Sequence, residues 1–312
     1  MNASNQQLIR RRIGKPVTAI LAAILAIGTV TLNSGQAQAA APLRVGVTTC
    51  GGMLSVQEGP LTTVHWNRIT SGVKTFALTS TRIGVLSGSG TLSVKEGSVN
   101  AGWTKMTSGV VDFAMAGNRI AVLDQHGTLR VKDGALNAPW TTVSYGVVEF
   151  AITSNRIAVL NGSGTLSVKE GSLNAGWTRV SSGVYQFALA GNRIAVTNSG
   201  GTLSIKDGAL SAPWTTVSFG VVAFGITSNR VGVLSAAGNL SVKEGSLNGG
   251  WTRVSAGVYQ FAMSGNRIAV VSNQGVLSAK EGSLGAGWNR LSIVGGACTV
   301  HLSDQATMGR LG

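Results

Sequence analysis

Short runs of alternating apolar and polar residues recur along this chain, each followed by a cluster of Gly, Asn and Ser. The pattern is clearest in RIAVL (Ile157, Val159), TLSVKE (Leu166, Val168), WTRV (Trp177, Val180) and VYQFAL (Tyr185, Phe187, Leu189). Apolar residues at every second position predict half-buried strands, four in succession. The intervening NGSG and EGSLNAG segments predict turns, because Gly tolerates positive φ and Asn and Ser cap turns through their side chains. No helical spacing occurs beyond the N-terminus.

The four-strand pattern is periodic. Trp66, Trp103, Trp140, Trp177, Trp214, Trp251 and Trp288 stand 37 residues apart at every step. The unit from Arg156 to Asn192 recurs nearly unchanged from Arg82 and from Arg230, whereas the copies from Arg119 and Arg193 share a variant centre, so two unit types alternate. Four strands of about five or six residues fill such a unit, close to the roughly 40 to 45 residues of a propeller blade.

With the strands named in the order A (GVYQFAL), B (RIAVL), C (TLSVKEG) and D (WTRV), the first copy opens at Arg44 with segment B, and the last ends in a degenerate segment A, IVGGACTVHLS. The terminal strand is the one the first copy lacks. The expectation is an all-β, seven-bladed β-propeller with four short antiparallel strands per blade, closed by the N- and C-terminal segments in one blade, which leaves no sheet edge open. The domains expected are 1–39, a secretion signal peptide; 40–303, the propeller; and 304–312, a C-terminal tail.

Both cysteines fall in the expected closure blade. Counting on from Phe76, Phe113, Phe150, Phe187, Phe224 and Phe261, Cys298 occupies the next core position of segment A, and Cys50 follows the first segment B. A Cys50–Cys298 disulfide is expected. Two buried free thiols are the alternative, since segment pairing does not set the two residues directly opposite.

The N-terminal segment has the layout of an export signal. Arg10, Arg11, Arg12 and Lys15 precede the apolar run PVTAILAAILAIGTVTL, and Ala37 and Ala39 fit a small-x-small cleavage site, with cleavage after Ala39. Arg10 and Arg11, followed by Ile13 and Lys15, also resemble a twin-arginine signal, from which Gly14 departs. The expectation is a secreted protein, extracellular or at the cell surface, without a transmembrane segment and monomeric.

Charge narrows the partners. The chain carries a formal net charge of +14. Such a balance favours anionic surfaces, among them acidic wall polymers, charged glycans and lipid headgroups. The repeated Arg82, Arg119, Arg156, Arg193, Arg230 and Arg267 read as outward strand residues paired with a neighbouring blade's acid. Lys95, Lys132, Lys169, Lys206, Lys243 and Lys280 each precede an acid in segment C. A basic stripe interleaved with stacking aromatics is missing, which argues against nucleic acid.

Catalysis is not expected, because repeated carboxylates stand on different blades and cannot converge on one centre. Residues that break the repeat are few: His65, His126, His301, Asp112, Asp124, Glu149 and Asp304. The histidines lack a second ligand at metal spacing and read as surface or turn residues. No cofactor and no metal are implied.

What repeats is a possible binding surface. Each blade offers one Trp, and most offer an Asn three residues before it: Asn100, Asn137, Asn174 and Asn248. An indole stacks on the apolar face of a sugar, and amides orient hydroxyls. The same Trp could instead pack between blades. The order GV..FA..GNRIAVL...GTLSVKEG......WTRVSSGV resembles propeller lectins of the tectonin and tachylectin type, over roughly Arg44 to Ser303. That resemblance implies non-catalytic sugar binding between blades at several sites, to which the seven Trp and four Asn would contribute. The function expected is multivalent binding of glycans or anionic cell-surface polysaccharide; the alternative is an extracellular protein-interaction scaffold without sugar binding.

Overall fold

The computed structural model describes residues 43–310, so the expected signal peptide, 1–39, lies outside the described residues. The described residues form seven antiparallel sheets, six of four strands and one of five, and contain no helix. This is the expected seven-bladed propeller.

Blade 4 shows how the unit folds. Its strands are Val147–Ile152, Arg156–Asn161, Leu166–Glu170 and Thr178–Ser181, in that spatial order. The hairpin glycine Gly164 has φ 71°, a conformation that costs glycine nothing. Its carbonyl accepts from Val184 N at 3.1 Å, which ties the hairpin to the start of the next blade.

Two bulges in blade 4 decide where side chains point. In the outermost strand the register skips Val180 between Arg179 and Ser181, and this extra residue packs with Trp214 of blade 5. In the innermost strand the register skips Val148 between Val147 and Glu149, which leaves Val148 40 % exposed. A bulge adds one unpaired residue and re-aims it, here once into the core and once into solvent.

The core is distributed between blades. Ala158, Leu160, Leu166 and Val168 of blade 4 meet Phe187, Leu189, Ile194 and Val196 of blade 5, with Trp214 partly buried at the edge. An equivalent cluster joins blade 7 to blade 1. Fit between neighbours is close: a Cβ on Gly84 would lie 2.7 Å from Phe113 Cε2 and 2.9 Å from Met115 Sδ.

The ring closes as the ends of the repeat predict. Thr299–Leu302 pairs antiparallel with Arg44–Thr48, from Thr48↔Thr299 to Val45↔Leu302. Cys50 and Cys298 form a disulfide with Cα atoms 5.3 Å apart, within the ordinary range. One detail is corrected. The residue in register with Phe76, which pairs with Val85, is Val300, which pairs with Val47. Two extra residues stand between Trp288 and the last innermost strand, so Cys298 sits just before that strand, not in its core.

Within 304–312, Thr307–Arg310 forms a strand on the inner edge of Gln186–Ala190, making the sheet of blade 5 five-stranded. Thr307 Oγ1 accepts from Ile152 N and donates to Ile152 O, both at 2.6 Å. This segment divides the central channel. Gln305 and Ala306 line both a cavity of about 380 Å³ on one side and one of about 260 Å³ on the other.

Candidate binding surfaces

The repeated arginines are clamps, contrary to the outward reading. All seven, Arg44 included, are buried, between 1 and 5 % exposed. Each pairs with the acid of its own blade, directly opposite on the next strand, as in Arg82–Glu96 and Arg156–Glu170. The rest of the guanidinium reaches the following blade. Arg82 donates to Asn118 O at 2.7 Å and Gly134 O at 2.6 Å, and Arg156 to Asn192 O at 2.6 Å and Gly208 O at 2.7 Å. Arg267 Nη2 reaches Gly59 O of blade 1 at 3.3 Å. A planar fork of donors suits this bridging role, which lysine cannot reproduce.

The repeated lysines also turn inward. Lys132, Lys169 and Lys243 donate to Leu136 O, Leu173 O and Leu247 O at 2.6, 2.7 and 2.7 Å, and burial pushes their pKa values down. Each of six lysines also lies over its own blade's tryptophan, 4.7 to 5.0 Å from the ring centroid. One indole face of Trp103, Trp140, Trp177, Trp214, Trp251 and Trp288 is thereby occupied by an ammonium. The other contacts are with the preceding blade: Trp214 Nε1 donates to Val180 O at 3.3 Å, and Trp66 Nε1 to Ser292 O at 2.8 Å. Asn100, Asn137, Asn174 and Asn248 are exposed in the loops before the outermost strands.

Two grooves between blades are open. That between blades 3 and 4 holds about 280 Å³ and is lined by Tyr145, Asn161, Thr165, Ser167 and Trp177. That between blades 7 and 1 holds about 570 Å³, with Trp66, Arg68, Ser55 and Val294 among its walls. Blade 1 has Gln57 where other blades carry lysine, and its amide turns to Pro60 O and Thr63 O. No lysine covers Trp66 among the described residues.

The residues that break the repeat are distributed as follows. His65 and His126 are exposed, the latter in a hairpin where its N–H donates to Asp124 Oδ1 at 3.0 Å. His301 departs from the surface expectation. It lies on the innermost strand, stacked on Phe76 with centroids 4.5 Å apart, and burial pushes its pKa from 6.5 down to about 4. Asp112, whose pKa burial raises, lines the same 260 Å³ cavity. Among the described residues, no three His, Cys, Asp or Glu side chains gather as metal ligands would.

This half-buried histidine has a measurable consequence. In the unfolded chain His301 takes up a proton near pH 6.5, in the folded chain only near pH 4, so stability is complete above about pH 6.5 and falls as pH drops toward 4. The loss reaches about 3 kcal/mol. His301→Ala restores the residue that Ala77, Ala114, Ala151 and Ala188 supply in the same register. Denaturant unfolding across this range is expected to show a flatter acid limb in the variant; an unchanged limb would assign it to other groups.

One face of the ring exposes large apolar side chains that sequence reasoning passed over. Tyr145 and Phe219, in the turns between outermost and innermost strands, are 77 and 76 % exposed. Val222 and Tyr259, at the repeat position of Val148, are 54 and 66 % exposed. The signal lay in the variant units, where VSYG and VSFG place an aromatic at a position that is Ser or Ala in the middle units of the other type.

No protein-family model matches the chain, and no curated protein matches its sequence. Its fold is similar to solved structures. Prp20p from Saccharomyces cerevisiae superposes with a TM-score of 0.64 at 12 % identity, covering 87 % of this chain and 92 % of that one. Human WBSCR16 gives 0.63 at 11 % identity, over 86 % and 98 %. BamB from Moraxella catarrhalis gives 0.50 at 15 % identity, over 85 % and 91 %. At such identities the likeness concerns the fold alone. The chain is a seven-bladed β-propeller repeat protein whose structural neighbours include yeast RCC1 (Prp20).

Proposed function

We propose that this chain is an exported, non-catalytic propeller that serves as a rigid protein-interaction scaffold. The observation that carries this reading is the exposed apolar set on one face, Tyr145, Phe219, Val222 and Tyr259. Bulges and tight turns hold these side chains out of the core, where they gain nothing in the free protein. Exposed aromatics on a rigid frame act as anchors for the apolar segment of a partner protein. The structural neighbour Prp20p is described by its binding to Gsp1p and histones, which makes protein binding a role this architecture can carry. The export segment 1–39 and the Cys50–Cys298 bridge support a site of action outside the reducing cytoplasm.

A second reading, multivalent glycan binding between blades as in tectonin-type lectins, is favoured by the groove that sets Tyr145 and Trp177 beside Asn161, Thr165 and Ser167. Against it stands the lysine on six of the seven indole faces, that of Trp177 included.

Cross-linking at the surface of the exporting cell, followed by titration with the partner it identifies, tests the scaffold. One partner per chain is expected, weakened by about thirtyfold or more in a Tyr145→Ser, Phe219→Ser, Tyr259→Ser variant. Several saccharides bound per chain, with binding kept in a Phe219→Ser, Tyr259→Ser variant, would favour the lectin. Concentration-dependent self-association lost in the triple variant would make the partner a second copy of the chain.

A further inference from the structure

The second residue of each outermost strand reads, around the ring, Arg68, Lys105, Thr142, Arg179, Thr216, Arg253 and Arg290. The residue opposite, on the third strand, is serine in every blade except blade 3, where Arg130 faces Thr142. Where the outermost strand lacks its cation in blade 3, the neighbouring strand supplies one. Six of the seven blades therefore carry a positive charge at one place on the rim.

These charges are not neutralised from within. The sequence has eleven acidic residues, and seven of them are held by the arginine clamps. No ion pair joins a rim cation to a carboxylate among the described residues. Arg253 donates to Asn239 Oδ1 at 2.6 Å, and Arg130 Nε finds no acceptor in the protein. All but Arg130 are exposed. The charge thus lies on the rim, at blade intervals, and at Arg179 it borders the groove that Tyr145 also lines.

The groove between blades 7 and 1 adds a second element. There Arg68 stands beside Trp66, whose indole carries no lysine, in a cleft of about 570 Å³ that also includes the hydroxyls of Thr49 and Ser55. An indole face, hydroxyls and a guanidinium together suit a sugar ring that bears an acid group. A series of single cations, spaced by blades on a rigid ring, suits a flexible polymer with repeated anionic groups better than a compact anion, which would need several cations at one point.

We propose that the rim of this propeller binds an acidic polysaccharide, whose carboxylate or phosphate groups pair in turn with Arg68, Lys105, Arg130, Arg179, Arg253 and Arg290 while one sugar ring lies on Trp66. This goes beyond the scaffold reading and uses a different set of side chains. It would tether the ring to a polymer. Many weak contacts on one rigid body raise the affinity for a repetitive ligand without a tight single site.

The test titrates the full chain with polygalacturonate, with a phosphodiester-linked glycerol polymer, with neutral dextran and with single-stranded DNA, at several salt concentrations. One or both acidic polymers are expected to bind and dextran is not, and the stronger of the two identifies the acid group as carboxylate or phosphate. Changing Arg68, Lys105, Arg179, Arg253 and Arg290 together to Gln is expected to weaken binding by about a hundredfold or more. It should also lower the slope of log K against log salt by about one for each contact removed. Trp66→Ala is expected to cost about tenfold. A Phe219→Ser, Tyr259→Ser variant, which leaves Tyr145 in its groove, should bind the polymer as the parent does, which separates this proposal from the scaffold. An unchanged melting temperature in the five-residue variant excludes misfolding as the cause. Absence of binding to both acidic polymers at low salt would overturn the proposal, as would DNA binding tighter than either.

Discussion

Replacing both Cys50 and Cys298 with serine is expected to lower the unfolding free energy by about 5 kcal/mol. The bridge spans 248 residues, so in the chain-entropy account it removes a very large set of open conformations from the unfolded state. Its location sharpens the expectation. It fastens the approach to Thr299–Leu302, which completes blade 1, to the loop after Arg44–Thr48. That strand is also held by Cys298 N to Thr48 O at 2.9 Å, by Ser303 N to Arg44 O at 3.0 Å and by Val300 N to Gln260 Oε1 at 3.0 Å. The native ring should therefore still form without the bridge, with unchanged far-ultraviolet dichroism but a lower denaturant midpoint. A loss below about 1 kcal/mol would show that strand pairing alone governs closure.

The second large effect concerns the arginine clamps. Arg82→Met keeps the apolar stem but removes every donor, and leaves Glu96, Asn118 O and Gly134 O without their partner. Removing one member of a buried pair costs about 3 to 5 kcal/mol. The lower end, about 3 kcal/mol, is expected here because Glu96 is 46 % exposed and can turn to water. The two carbonyls belong to blade 3, so the loss falls on the contact between blades 2 and 3. Glu96→Gln, which leaves that contact intact, should cost less than about 1 kcal/mol. Equal losses in the two variants, measured by urea unfolding, would place the clamp's contribution in the ion pair and not in the link between blades.

The blade was legible in the sequence because its causes are local. Alternation in RIAVL and TLSVKE, glycines such as Gly164 at turns, and the 37-residue spacing of tryptophans each describe one strand, one hairpin or one repeat. Closure was legible too, since the terminal strand is the one the first copy lacks. The register of that strand was not. Cys298 continues the spacing of the phenylalanines, but pairing puts Val300 in their place, and two inserted residues leave no trace in a short alternating run.

The binding surfaces were harder to read. The cations after five of the seven tryptophans stand in the repeat itself, as in WNR, WTK and WTR, but only the assignment of seven of the eleven acids to clamps, and the lack of any ion pair to the rest among the described residues, marks them as unpaired. The apolar face depends on bulges, which strand patterns do not reveal.

What the sequence by itself determined was the four-stranded unit, its number, the closed ring and the disulfide that closes it. What only the tertiary structure decided was which residues face a neighbour. Arg156 and Lys169 stand on opposite faces of their sheet, Arg156 across from Glu170 and Lys169 across from Ile157, and in an isolated sheet both would reach water. In a ring every sheet is packed on both faces, so the arginine reaches the carbonyls of the next blade and the lysine folds over its own tryptophan. Period two assigns a residue to one of two faces, but only packing says whether that face meets solvent.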